Sequence, residues 1–363
     1  MKVDANMTLM PQKTNLKGMT REEMEEFAAS LGEKPFRGRQ LFNWIYCRRV
    51  CDFFSMTDIS IPLKKRLQQA AYVSSLELLE RRASDSGDTE KFLFGLEDGN
   101  IIESVLMRYD EQGAGRCTVC ISSQAGCSQG CAFCASGRAG LVRNLEAGEI
   151  VDQVVSIQRL LDGTGQRVHN VVIMGIGEPL LNYDNVVKAI RLINHGDGTA
   201  IGMRRLAIST VGIPHLIRKF AGEKFGLRFA VSLHAPDDET RSRIMPVNRR
   251  HPIGELVDAC RYYQQATGRR ITFEYALIEG LNDSMEAAEK LARLLSGIHL
   301  IVNLIPLNPV EGFPYRRPGF RHCQAFCARL EELGLNAALR TERGTGIDAS
   351  CGQLRLRRME ELC

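Results

Sequence analysis

Three absences narrow the reading of this 363-residue chain before any motif is considered. No run approaches the roughly 18 consecutive apolar residues that a membrane-spanning helix needs, and the N-terminus lacks the apolar block of a signal peptide. A soluble, cytoplasmic protein without a membrane partner is expected. Strong charge bias is also missing. Against 43 acidic side chains stand 47 basic ones, for a net charge of +4, too little to argue for nucleic acid from charge alone. Basic residues cluster only locally, as at Arg48-Arg49, Lys64-Lys65-Arg66, Arg249-Arg250 and Arg316-Arg317. What the chain does have is an ordinary globular composition, 44% hydrophobic and 25% charged, sufficient for a sizeable core.

Twelve cysteines are many for a reducing compartment, where they point to metal binding or thiol chemistry rather than a disulfide framework. Five carry defensible positions: Cys120, Cys127, Cys131, Cys134 and Cys351. Cys47, Cys51, Cys117, Cys260, Cys323, Cys327 and Cys363 show no ligand spacing and read as ordinary free cysteines.

Local signals divide the chain into four parts. Residues 1–85 read as a helical accessory domain. Thr20-Arg21-Glu22-Glu23 forms a capping box for a helix ending at Gly32. Phe36–Tyr46 places Leu41, Trp44 and Ile45 on one helical face, and Pro62 suits the first position of another helix. Residues 86–116 form a hairpin extension, with extended runs Glu90–Leu96 and Ile101–Arg108 about an Asp98-Gly99 turn. From 117 to 340, seven short β-branched runs alternate with helical segments. They begin at Thr118–Ser122 and end at Ala337–Leu339. Such alternation predicts an α/β fold, a full or partial barrel of parallel strands with sites at the C-terminal strand ends. Residues 341–363 are a tail carrying Cys351.

The loop after the first core strand reads Cys127-Ser128-Gln129-Gly130-Cys131-Ala132-Phe133-Cys134. Three thiolates this close can converge on one iron–sulfur cube and leave a fourth iron without a protein ligand. A structural zinc site is the competing reading, but it calls for four ligands and no second cysteine pair is evident. Further on, Met174-Gly175-Ile176-Gly177-Glu178-Pro179 follows a strand. Its glycines permit close backbone approach to a ligand, and Glu178 could take an ammonium by a charge-assisted hydrogen bond.

The cysteine triad with its aromatic Phe133 resembles the radical S-adenosylmethionine (SAM) superfamily, in which the open iron of a [4Fe-4S] cluster chelates SAM. Several segments narrow the likeness: Cys120, the Gly177-Glu178-Pro179 turn, Ile208-Ser209-Thr210, Ser232-Leu233-His234-Ala235-Pro236, Asn303 to Pro309, and Asp348 to Leu354 around Cys351. From about Thr20 to Leu354 the chain resembles the RlmN-type RNA methyltransferases, which methylate adenine C2 in 23S ribosomal RNA and transfer RNA.

That resemblance implies a cycle using two SAM molecules per turnover. Cys351 takes a methyl from one, and a radical from the second abstracts hydrogen from the S-methyl group. The resulting carbon radical joins adenine C2. Loss of the C2 proton to Glu103 and attack by Cys120 on the Cys351 sulfur then release the RNA and leave a transient Cys120–Cys351 disulfide. Gly177, Glu178, Ser209, Ser232, Leu233, His234 and Asn308 match the family's SAM-contacting positions, and Cys127, Cys131 and Cys134 its cluster ligands. Each SAM-contacting position also has a plainer reading, as a turn residue, a strand-end polar group or a satisfied imidazole. The expected partners are 23S rRNA, tRNA and a low-potential electron donor such as flavodoxin or ferredoxin, with the enzyme a monomer. Arg37, Arg39, Arg48 and Arg49 are candidates for phosphate contacts.

Two alternatives remain at this point. The related C8-directed branch shares the thiols and mechanism but typically has Ala after the motif glutamate, where this chain has Pro179. An iron–sulfur redox-sensing RNA-binding protein would leave the SAM motifs and Cys351 without a role. Where the family tail commonly has an acidic residue and an alanine, this chain has Gly346 and Ser350.

Overall fold

A computed structural model describes residues 13–109, 115–138, 140–308 and 314–340, together with Leu354 and Arg358. Near the N-terminus the capping box forms as its residues dictate. The Thr20 N–H donates to Glu23 Oε2 at 2.7 Å and the Glu23 N–H to Thr20 Oγ1 at 3.2 Å. Helix α1 (Arg21–Ser30) follows, and the chain turns out of it at Gly32, whose φ is +73°. Helix α2 (Phe36–Phe42) widens into a π turn over Asn43–Cys47, where the Arg48 N–H reaches back to the Asn43 carbonyl. This wider turn still buries Trp44, Ile45 and Tyr46 beside Leu41. Helix α3 (Ile61–Ala70) carries Pro62 one residue later than the expected first position. Two short strands, β1 (Thr14–Asn15) and β2 (Ala71–Tyr72), pair in parallel and bring the ends of this helical unit together.

A single ten-stranded sheet organises the rest. Its strands are β3 (Glu77–Ala83), β4 (Thr89–Gly95), β5 (Ile101–Tyr109), β6 (Arg116–Ile121), β9 (Val168–Ile173), β10 (Leu206–Thr210), β11 (Arg228–Ser232), β12 (Ile271–Leu277), β13 (Leu300–Pro306) and β14 (Ala337–Leu339). They lie side by side in that order. The first three joins are antiparallel and all later ones parallel. A second small pair, β7 (Gln124–Gly126) and β8 (Leu141–Asn144), stands apart. The extension therefore has three strands rather than two. Glu77–Ala83, expected among the helices, is the outermost of them, and the β4–β5 hairpin forms about Asp98-Gly99.

Strand order never reverses along the parallel part, so right-handed crossovers keep the connecting helices on one face and the sheet coils into a partial barrel. These helices are α5 (Ala147–Leu161), α6 (Tyr183–Asn194), α7 (Pro214–Ala221), α8 (Asp238–Ile244), α9 (Ile253–Thr267), α10 (Met285–Leu294) and α11 (Phe320–Glu332). Alternation along each strand sorts the side chains. Val119, Ile121, Val171, Ile173, Ile208, Phe229, Val231, Phe273, Val302 and Leu304 belong to the main core. The opposite face carries Thr118, Cys120, Asn170, Ser209, Ser232, Glu274 and Asn303, small or polar groups, beside a few apolar ones such as Val172 and Ile301.

Candidate active site

The three-cysteine loop is pinched at its base by β7 and β8. Gly126 pairs with Leu141, and the Cys127 N–H donates to the Gly140 carbonyl at 2.9 Å. A Cβ at Gly126, where φ is +90°, would stand 2.0 Å from the Gly140 oxygen, so only glycine permits this crossing. Farther along, the Ala132 N–H binds the Ile244 carbonyl at the end of α8. Cys127, Cys131 and Cys134 are each half-buried. Burial pushes the Cys127 thiol up to about 11, with the nearby Cys134 adding to it. Cys131 is raised further, first by burial and then by its neighbours Cys134 and Cys127.

Three thiols thus crowd a poorly solvated loop, where ionising them together needs a positive partner. A cluster supplies one, and no fourth cysteine stands in the loop. Among the described residues no three His, Cys, Asp or Glu close on the point a single ion would occupy. An iron–sulfur cube, whose thiolates stand several ångströms farther apart than those around a single ion, suits the donor set better than zinc.

The Gly-Ile-Gly-Glu turn after β9 clasps the strand that leads into this loop. The Gly175 N–H donates to the Ile121 carbonyl, and the Ser123 and Gln124 N–H groups donate to the Ile176 carbonyl. A Cβ on Gly175 would meet the Ile121 oxygen at 2.8 Å, and one on Gly177 the Gln124 Cβ at 2.6 Å. The glycines accordingly admit close approach of the Ile121 backbone and of the Gln124 side chain. Glu178 is 1% exposed and accepts from the Leu180 N–H (3.0 Å), the Thr210 hydroxyl (2.7 Å) and the Val211 N–H (2.8 Å). These neutral donors occupy three of the roughly four lone-pair sites of a carboxylate. With no cation among its partners, burial pushes Glu178 up to about 7. A cationic ligand such as the SAM ammonium fits both the vacant lone pair and the missing charge.

The other expected residues stand at successive strand ends. Ser209 on β10 and Ser232 on β11 bring their hydroxyls to 3.5 Å. The Leu233 N–H donates to the Glu274 carbonyl. His234 is buried and left-handed, with φ of +56°. Its Nδ1 accepts the Ala276 N–H at 2.9 Å, and burial lowers its pKa to about 3. The ring is therefore neutral and carries its proton on Nε2, edge-on to Phe133 of the cysteine loop with centroids 4.9 Å apart. Asn308 follows β13, half-buried.

Two neighbours went unnoticed in the sequence. Arg241 is completely buried and donates to the Leu233, Ser232 and Val211 carbonyls and to Asn248 Oδ1, locking the ends of β10 and β11. Burial lowers it to about 10, and it feels the Cys131 thiol. Glu274 on the inner face of β12 accepts from Asn303 Nδ2 at 2.7 Å and is raised by burial. Neither belongs to a motif. A charged residue inside an otherwise apolar strand was the one available hint of Glu274.

Glu103 and Cys120 lie on adjacent strands of the same wall. Val105 is the register partner of Cys120, and Glu103 is the next residue of β5 on that face. Because β5 runs antiparallel to β6, Glu103 sits toward the end of β6 where the cysteine loop begins. Both side chains are buried, and Glu103 Oε1 is 2.9 Å from the Lys91 ammonium. Cys351 lies outside the described residues, as do Gly346, Ser350 and Cys363. No disulfide joins two described cysteines.

Of the four arginines expected to meet phosphates, Arg49 donates Nε and Nη2 to Asp162, both at 2.8 Å. Arg39 pairs with Glu25 at 3.3 Å, and Arg37 donates to Gln40 and stands 3.9 Å from Glu33. Arg48 stacks over the Trp44 ring at 4.2 Å. Three of the four guanidinium groups are thus engaged with acidic or amide side chains.

A parallel partial barrel with a three-cysteine loop after its first parallel strand is the architecture of the radical SAM superfamily, whose description matches residues 121–292. Residues 14–73 match the ribosomal RNA large subunit methyltransferase N-terminal domain. The probable dual-specificity RNA methyltransferase RlmN of Caldanaerobacter subterraneus is 48% identical, with 96% of this chain and 99% of that protein covered. The corresponding protein of Geobacillus thermodenitrificans is 46% identical over 94% of this chain and 93% of its own. A crystal structure of a radical SAM methyltransferase from Sphaerobacter thermophilus superposes with a TM-score of 0.89, at 44% identity, covering 94% of this chain and 98% of that one. The chain belongs to the RlmN family of radical SAM methyltransferases.

Proposed function

We propose that this chain methylates C2 of adenine in RNA, in 23S rRNA at the peptidyl-transferase centre and in tRNA at the adenosine 3′ of the anticodon, by way of S-methylated Cys351. One observation carries the reading: a second thiol, Cys120, and a buried carboxylate, Glu103, share one wall at the strand ends where the cysteine loop begins. Polar methyl transfer has no use for either group. Adenine C2 lies between two ring nitrogens and is electron-poor, so a methyl carrier that forms a carbon radical is required, and the carrier must afterwards be detached.

Cys127, Cys131 and Cys134 would hold the [4Fe-4S] cluster. When bound, the cluster and two SAM molecules per turnover supply the methyl group and a hydrogen-abstracting carbon radical. Glu178 accepts the SAM ammonium, and His234 presents its Nε2–H. Ser209, Ser232 and Asn308 offer side-chain hydrogen bonds, Gly177 and Leu233 close backbone contact. The Cys351 thiolate takes the methyl. Once its carbon is joined to C2, the adduct would give up its unpaired electron to a one-electron acceptor, a role the oxidised cluster could fill, while Glu103 takes the C2 proton and the electron pair of that bond stays with the purine. Attack by the Cys120 thiolate forms the sulfur–sulfur bond with Cys351. The sulfur–carbon bond breaks with its electrons going to the methyl carbon, which takes a proton. Reducing the disulfide and the cluster calls for a low-potential donor of the flavodoxin or ferredoxin type. No described helix is long and apolar enough to cross a membrane, and a cytoplasmic monomer acting on RNA fits this chemistry.

The test replaces Cys120 with alanine and examines the purified protein for attached RNA by mass spectrometry. A Cys351–CH2–adenine adduct at C2 is expected. Linkage at C8 would transfer the enzyme to the C8-directed branch. Absence of an adduct from protein with a full cluster would overturn the assignment of Cys120.

A further inference from the structure

The inner wall contains a buried cation whose presence stability does not explain. Lys91, on β4, is 2% exposed and its ammonium stands 2.9 Å from Glu103 Oε1, itself on a 3% exposed side chain. Desolvating two charges costs several kcal/mol each, and an apolar pair of equal volume is often as stable or more so. The placement is specific. Lys91 is the register partner of Val105, which is in turn the partner of Cys120, so Lys91, Val105 and Cys120 form a row across three strands, with Glu103 beside it on the same face. On this face Glu103 is flanked on β4 by its register partner Leu93 and by the Lys91 ammonium, and on β6 by the Cys120 thiol. Ser122 behind it is neutral and donates its hydroxyl to the Glu103 carbonyl.

Two other carboxylates of the site show what the ammonium does. Glu178 and Glu274 accept hydrogen bonds from neutral donors, and burial raises both, although the Arg340 charge opposes it at Glu274. At about 7, Glu178 already holds a proton part of the time at neutral pH and is a poor proton acceptor.

We propose that Lys91 is a positioning residue for proton transfer. Its ammonium, 2.9 Å from Oε1, fixes the Glu103 carboxylate against the wall as the acceptor of the adenine C2 proton. This rests on the reading of Glu103 as that acceptor. The transfer balances once the adduct has given up its unpaired electron to a one-electron acceptor such as the oxidised cluster: the C2–H bond breaks, its electron pair remains on the purine, an O–H bond forms on Glu103, and Lys91 keeps all its protons. The pair is neutral before the step and carries +1 after it, so the buried charge itself drives the proton off Glu103 and resets the site.

The experiment compares Lys91→Met, Lys91→Gln and Lys91→Arg with Glu103→Gln in the reconstituted enzyme. The readouts are SAM cleavage, the mass of protein-bound RNA adduct, and the pH profile of adduct resolution. Lys91→Met and Lys91→Gln should still cleave SAM and form the adduct but resolve it about ten- to a hundredfold more slowly. Their pH profiles of resolution should change, whereas a merely structural loss would leave the profile in place. Lys91→Arg should restore most of the rate. Should the Met variant not fold, the Gln variant, which keeps a hydrogen bond without the charge, decides alone. Unchanged resolution and an unchanged profile in either neutral variant would overturn the role of Lys91. If Glu103→Gln itself accumulates no adduct, the acceptor assignment fails first; accumulation in Glu103→Gln but in neither neutral Lys91 variant refutes the Lys91 inference alone.

Discussion

Substituting Lys17 by methionine should loosen the helical unit from the barrel. Lys17 Nζ lies 2.6 Å from Asp152 Oδ1 of α5, with side-chain exposures of 0% and 2%. Asp152 also accepts the Leu76 N–H at 2.8 Å, where the chain passes from the helical unit into the sheet. Around this pair the fit is tight. The Gly18 N–H donates to the buried Tyr46 hydroxyl, and a Cβ on Gly18 would come within 2.7 Å of the Gly148 N. Lys17→Met leaves the Asp152 charge buried with no cation, which costs about 3–5 kcal/mol. Lys17→Met with Asp152→Asn removes the orphaned charge but keeps an acceptor for Leu76, so it should recover most of that loss. The assay is urea unfolding followed by fluorescence of Trp44, the single tryptophan of the chain, and in parallel by far-ultraviolet circular dichroism. Trp44 lies within the helical unit, so its transition should move to lower urea than that of the whole chain. RNA methylation should fall while SAM cleavage persists. A loss below about 1 kcal/mol, or a double variant no better than Lys17→Met, would refute the reasoning.

Alanine at Cys127, Cys131 or Cys134 should remove bound iron and sulfide, whereas Cys351→Ala should abolish methylation and leave the cluster's absorbance unchanged; iron analysis and visible spectra distinguish the two. In the metal-free protein, two buried groups should shape stability in opposite senses. Glu178, raised from 4.5 to about 7, binds more protons folded than unfolded, so its contribution is full below pH 4.5 and lost as pH rises through 7. His234, lowered from 6.5 to about 3, stays neutral in the fold while the unfolded imidazole protonates, so its contribution is lost as pH falls from 6.5 toward 3. The slopes oppose each other between pH 4.5 and 6.5. In melting curves, Glu178→Gln should flatten the decline near pH 7 and His234→Asn the decline below pH 4.5.

The parts that local chemistry decides were legible. The capping box needs only Thr20 and Glu23, and the parallel strands read as β-branched runs within one or two residues of their observed bounds because their outward faces are continuously apolar. β3 was hidden because Glu-Leu-Leu-Glu-Arg-Arg-Ala on a largely exposed sheet edge has no buried alternation to display. β7, β8 and α8 are too short for periodicity, although they aim the cysteine loop. Arg241 was invisible for a different reason: three of its four acceptors are backbone carbonyls, which leave no trace in side-chain identity. For His234 the plain and functional readings coincide, since the hydrogen bond that satisfies Nδ1 is what fixes the proton on Nε2.

Charge placement within the interior explains why similar carboxylates suit different tasks. Glu274 shares its wall with an amide, Asn303, and needs no charge to orient it. Glu178 is enclosed by three neutral donors and lacks a cation, which makes it costly to ionise until a cationic ligand arrives. Ligand binding should therefore release protons near pH 7, because the ammonium lowers the carboxyl's pKa as it docks. Glu103 has an ion-pair partner supplied by the fold, the Lys91 ammonium 2.9 Å away. A carboxylate whose charge awaits the ligand is suited to recognising it, and one already paired with a cation of the fold is held in place before the ligand arrives.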